Sequence, residues 1–170
     1  ELGAQNEASA AEKTVSIFAG NTGAGKSTTL NALLGCQMKA EMDKFGEQRI
    51  VVDPESPRKE VMPIGHGRQS QTFLPQIIPT PDESNSAYCD CPGFSDTRGA
   101  EINIANAINT RRVLQQAQSV KAVFLTSYQE LLAGRGSSIR AMEKMCSQLF
   151  GGIDNLRNHQ NAVLLGINRA

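Results

Sequence analysis

The sequence predicts an α/β fold: a three-layer sandwich in which a mostly parallel sheet is flanked by helices and carries one antiparallel hairpin at its edge. Three observations predict it. Short apolar, β-branched runs alternate with segments of helical periodicity along the 170 residues. The first such run leads straight into Gly20-Asn21-Thr22-Gly23-Ala24-Gly25-Lys26-Ser27, which satisfies G-x-x-x-x-G-K-[ST] at every fixed position and requires a strand before it and a helix after it. Two further apolar runs, 73–78 and 87–89, are separated by a turn-rich stretch and read as a hairpin.

Taken in order, Thr14-Val15-Ser16-Ile17-Phe18-Ala19 is the first strand. The helix after the glycine loop starts at Lys26, with Leu30, Leu33 and Leu34 at helical spacing and Gly35 as its stop. The stretch from 37 to about 70 is polar and rich in Gly and Pro, with one apolar burst at 49–52 followed by the breakers Asp53-Pro54 and Ser56-Pro57. The run 73–78 is a strand with Pro75 near its edge. A helix is expected over 101–118, with Ile104, Ala105 and Ile108 on one face, and a buried strand over 120–125. The clearest amphipathic helix spans 137–150, where Ile139, Met142, Cys146 and Leu149 form one stripe and Gly151-Gly152 ends it. The last strand covers 162–167.

Composition narrows the function. Seventeen basic and seventeen acidic residues cancel, so net charge argues for neither nucleic acid nor an anionic membrane as partner. No apolar run approaches the roughly 20 residues of a membrane-spanning helix. Residues 1–12 are small and polar and are expected to be disordered, leaving 13–170 as one domain; the chain opens on Glu1 and reads as a piece of something longer. Cys36, Cys89, Cys91 and Cys146 form no C-x-x-C pair, and the expectation is free thiols in a reduced, intracellular and cytoplasmic protein.

The glycine loop carries the chemistry. Its glycines let successive backbone N–H groups turn inward on a phosphate chain, and the helix beginning at Lys26 adds the positive end of its dipole. Lys26 would bridge the β- and γ-phosphates as a point charge, and the Ser27 hydroxyl would ligate Mg²⁺. A glycine turn that binds nothing is the bland alternative; the Lys-Ser pair and the strand and helix on either side argue against it. The second constellation is Asp90-Cys91-Pro92-Gly93 at the end of an apolar strand. There a carboxylate can hold Mg²⁺ through water, and Gly93 can offer its N–H to the γ-phosphate. The third is Arg68-Gln69-Ser70-Gln71-Thr72, where Thr72, with Ser70 behind it, could ligate Mg²⁺ and contact the γ-phosphate.

These stretches, from Phe18 to Gly35 and from Cys89 to Gly99, resemble the translation-factor-related class of P-loop GTPases, and within it the immunity-associated, septin-like and chloroplast-import-receptor groups. The resemblance implies a Ras-like sheet, GTP and GDP as ligands, Mg²⁺ as cofactor, and a pair of nucleotide-switched loops. Carried across, Gly20 through Thr28 with Asp90, Gly93 and Asn168 form the nucleotide set, Ser27, Thr72 and Asp90 the metal set, and Lys26, Thr72 and Gly93 the catalytic set. Three departures accompany it. Phe94 stands where a water-orienting Gln is common, so hydrolysis should be slow or need a group from a second protomer or partner. Thr22 replaces a frequent glycine, which relatives that dimerise across the nucleotide tolerate. Asn168-Arg169-Ala170 has Arg for Lys in the guanine-reading motif, and the Asp position of that motif falls past Ala170, so the domain reads as truncated there.

The expectation is a Mg²⁺-dependent GTP-binding domain of slow turnover, a switch or an assembly module acting on an effector protein, with a homodimer across the nucleotide face as one arrangement. The alternatives are a non-hydrolysing assembly module and a P-loop ATPase. Turnover per molecule that rises with protein concentration would mark the dimer-activated enzyme. Arg98 and Arg135 are candidate arginine fingers, each with a plain surface arginine as competitor, and His66 is a loop histidine that could reach phosphate.

Overall fold

A computed structural model describes residues 9–65, 75–82, 84–92, 100–133, 137–150, 154 and 159–168. The elements are β1 (Thr14–Gly20), α1 (Lys26–Leu33), β2 (Met38–Met42), β3 (Gln48–Val52), β4 (Gln76–Pro79), β5 (Ser86–Asp90), α2 (Ala100–Gln116), β6 (Ser119–Ser127), α3 (Tyr128–Ala133), α4 (Ser137–Phe150), a 3-10 turn at Gln160–Ala162, and β7 (Val163–Asn168).

Strand alternation explains how the layers assemble. Val15, Ile17 and Ala19 of β1, with Ala122 and Phe124 of β6, point to one face, where Val113 of α2 and Cys146 of α4 cover them. Phe18 and Leu125 point to the other face and meet Ala24 and Leu30 of the glycine loop and α1, together with Met62. Helices therefore lie on both faces of one five-stranded sheet, ordered β4-β5-β1-β6-β7. β5, β1, β6 and β7 run parallel, and β4 closes the edge antiparallel to β5, pairing Ile77 with Cys89. The mostly parallel sheet and the antiparallel edge hairpin match the expectation.

Several elements differ from it. β2 and β3 form a separate antiparallel pair with Met38 opposite Val52, whereas only the apolar burst of β3 stood out in the sequence. The hairpin turns at Asp43, whose carboxylate accepts the N–H groups of Phe45 at 2.7 Å and Glu47 at 2.9 Å and pairs with Arg49. The backbone donor of Glu47, foremost, holds that carboxyl below its ordinary range. α2 presents Ile104, Ala105 and Ile108 to solvent and buries Asn106, Thr110 and Val113 instead. On α4, Cys146 is buried as its stripe requires, but Ile139 is exposed. Within the segment expected to lack structure, Ala10 is fully buried and Ala11 bridges Ala117. No helix among the described residues is long and apolar enough to cross a membrane.

Candidate functional site

The carboxyl ends of β1, β5, β6 and β7 gather at one edge of the sheet. Register sets Phe18 beside Asp90, Gly20 beside Leu125, and Ser127 beside Asn168. From central β1 the chain passes to the outer strand β4, returns inward as β5 beside β1, and then crosses to add β6 and β7 on the other side. In open α/β sheets such a reversal opens a crevice beyond the strand ends, and the glycine loop occupies this one.

Two contacts shape the loop. At Gly20 a side chain would strike the backbone carbonyl of Leu125, so the loop can leave β1 close against β6 only with glycine there. Gly25 caps α1 in the left-handed region, φ 84° and ψ 21°, with no side-chain cap. The first turn of α1 is thus left without a side-chain cap on its N–H groups, the condition under which a helix start can bind an anion. A side chain at Gly25 would also collide with the Asn168 amide, so the end of β7 is packed directly on the loop.

The charged groups fold inward. Lys26, only 8% exposed, donates from Nζ to the carbonyls of Gly20 at 3.1 Å and Asn21 at 3.0 Å. Burial draws its ammonium below the ordinary value of 10.5, while the carboxylates of Asp90 and then Glu130 pull the other way. The Ser27 hydroxyl donates to Asp90 Oδ2 at 2.9 Å, and Asp90 is buried. The side-chain oxygen of Asn21 is buried and meets no donor among the described residues. A buried ammonium, an inward hydroxyl–carboxylate pair and a buried amide oxygen that meets no donor among the described residues thus sit together at the glycine loop.

Of the residues expected to form the site, Gly20 to Thr28, Asp90 and Asn168 come together at this edge. Thr72 and Gly93 lie outside the described residues, as do His66, Ser70, Phe94, Arg98 and Arg135. Among the described residues no cluster of three or more His, Cys, Asp or Glu could hold a metal. The hard oxygens of Ser27 and Asp90 do fit Mg²⁺, which keeps waters and substrate oxygens and uses few protein ligands.

Two residues at the site escaped the sequence reading. Asn31 is fully buried on α1. Its Oδ1 accepts the N–H groups of Val61 at 2.9 Å and Met62 at 3.0 Å, and its Nδ2 donates to the Met62 carbonyl at 2.7 Å. It thus bolts residues 61–62 to the helix that begins at Lys26. Glu130 stands at the start of α3 and reaches the loop through Asn21. The signal for it was present as Ser127-x-x-Glu130, a capping box directly after an apolar strand.

All four cysteines are free and buried. Cys89 and Cys91 approach to 3.8 Å between sulfurs; their mutual hydrogen bond, then burial, push the Cys89 thiol well above its ordinary 9.0. A thiol so held is a packing group, not a nucleophile. An open cavity of about 490 Å³ lies elsewhere, lined by Val51, Val52, Lys59, Glu60 and Ile64 among others, and includes none of the site residues. No protein-family model matches this chain, and no curated protein matches it.

Proposed function

We propose that the chain is a guanine-nucleotide-binding P-loop domain that takes GTP with Mg²⁺, hydrolyses it slowly, and works as a switch or assembly module. One observation carries this reading: Lys26 folded onto the loop carbonyls beside the Ser27–Asp90 pair, on a glycine loop at the point where strand order reverses. Entry of a triphosphate would release Lys26 from Gly20 and Asn21 and give its ammonium a stronger acceptor. The N–H groups of the loop and of the first turn of α1 would bind the phosphate oxygens and orient the γ-phosphate. Ser27 and Asp90 would hold Mg²⁺, which would supply neutralisation of the phosphate charge.

Support for the antiparallel-edged Ras-like arrangement is the strand order β4-β5-β1-β6-β7. Support for a guanine base is Asn168, which stands against Gly25, where the resemblance carries the base-reading Asn. Calorimetric titration with GTP, GDP and ATP, each with and without Mg²⁺, tests the reading. The expected result is Mg²⁺-enhanced binding of GTP by the chain, abolished by Lys26→Ala with circular dichroism unchanged. Preferred binding of ATP would favour the P-loop ATPase alternative. Unchanged affinity in a folded Lys26→Ala protein would reject the site.

A further inference from the structure

Glu130 does more than cap a helix. The Ser127 hydroxyl accepts the Glu130 N–H at 3.1 Å, and Glu130 Oε2 accepts the Ser127 N–H at 3.4 Å, which closes the capping box. The same oxygen accepts the Thr126 hydroxyl at 3.3 Å, and Oε1 takes a long hydrogen bond, 3.4 Å, from the Asn21 side chain. Asn21 is a residue of the glycine loop whose own carbonyl holds Lys26. A capping box admits Gln as well as Glu, so its hydrogen-bond pattern alone does not call for a charge here.

That charge is felt at the loop. Glu130 is one of the carboxylates that counteract the effect of burial on Lys26. The other, Asp90, ends β5 on one side of β1, whereas Glu130 follows β6 on the opposite side. Asp90 has a partner fit for a cation site in Ser27. Glu130 is instead tied to Asn21, at the mouth of a loop whose other features attract anions.

We propose that Glu130 is an electrostatic gate on the phosphate loop: its carboxylate disfavours a cation-free triphosphate and so makes entry depend on the divalent ion that arrives with it. The inference rests on the nucleotide reading above. A triphosphate stripped of its cation carries more negative charge than its magnesium complex, so one fixed carboxylate penalises the stripped form more. In the ligand-free state the same carboxylate favours the inward arrangement of Asn21 and Lys26.

The test is the affinity of the chain and of Glu130→Gln for GTP, measured in excess Mg²⁺ and in excess chelator. The Gln carbonyl can keep the cap bonds made by Oε2; its amide nitrogen then faces Asn21, whose side chain meets it by turning its own oxygen inward, so the fold is preserved and the charge is removed. The expected result is roughly a tenfold gain in affinity for cation-free GTP and a smaller gain for the magnesium complex, so that the Mg²⁺ dependence narrows. Glu130→Asp, which keeps the charge and weakens the cap, is expected to retain the dependence of the unmodified chain. An unchanged ratio of the two affinities in Glu130→Gln, or an equal narrowing in Glu130→Asp, overturns the gate. Failure of both the chain and Glu130→Gln to bind GTP under either condition overturns the nucleotide reading and the gate with it, a result distinct from binding with an unchanged ratio.

Discussion

At the scale of single residues, the glycines of the loop are not equivalent, although the sequence pattern treats them alike. Gly23 and Gly25 share a left-handed backbone, φ 85° and 84°. A side chain on Gly23 would meet nothing within 4 Å, whereas one on Gly25 would strike Asn168. Gly23→Ala should therefore carry only the backbone strain, about 1–2 kcal/mol. Gly25→Ala should cost more, about 2–4 kcal/mol, because the Asn168 side-chain amide must also turn aside. Thermal melting of the two variants side by side checks this; equal losses would mean that Asn168 moves aside freely. Lys26, Ser27 and Asp90 were legible because their signals are local, a loop between strand and helix and a carboxylate at a strand end. The Asn168–Gly25 contact joins residues 143 positions apart and is created by the order of strands, which no local pattern encodes.

At the scale of elements, the informative case is α1. Asn31 sits between Leu30 and Ala32 and reads as one more polar helix residue. Its full burial is explained only by the backbone groups of Val61 and Met62 that it satisfies, and that segment has no periodicity to announce it. Met62 then fills the cluster containing Phe18, Ala24 and Leu30, so the segment after the β2–β3 hairpin is fastened to the base of the glycine loop. Asn31→Ala would leave buried donors and an acceptor without a partner and should cost about 2–4 kcal/mol by chemical denaturation. It should also raise hydrogen exchange at Val61 and Met62 before the sheet amides. A neutral variant would show that water replaces the amide. β2 was missed for a different reason. Met38-Lys39-Ala40-Glu41-Met42 does alternate, but it lies in a polar stretch and pairs outside the main sheet, so its apolar side chains stay half-exposed or exposed. α2 shows the reverse error: Ile104 and Ile108 carry the helical spacing of a buried face yet lie outward, and the buried positions are Asn106, Thr110 and Val113, of which Val113 packs in the cluster on the sheet.

At the scale of the whole molecule, stability and surface behaviour separate by position in the sheet. Phe124 on inner strand β6 is fully buried at the heart of the larger cluster. On β7, at the sheet edge, Leu164, Leu165 and Ile167 are 62%, 65% and 65% exposed. The parallel pattern made β7 legible as a strand, but a run of apolar residues looks alike whether both faces are covered or neither is. The two kinds of position should respond oppositely to substitution. Phe124→Ala removes a buried ring and leaves a cavity between α2, α4 and the sheet, at a cost of about 3–5 kcal/mol. Leu165→Lys gives up little burial and should change unfolding stability by less than about 0.5 kcal/mol. Because exposed apolar edge strands template association, the lysine should also lower the scattering of concentrated solutions. A Leu165→Lys protein destabilised as much as Phe124→Ala would show that β7 is covered in solution, and the edge on which Asn168 and the glycine loop meet would then have to be redrawn with that cover in place.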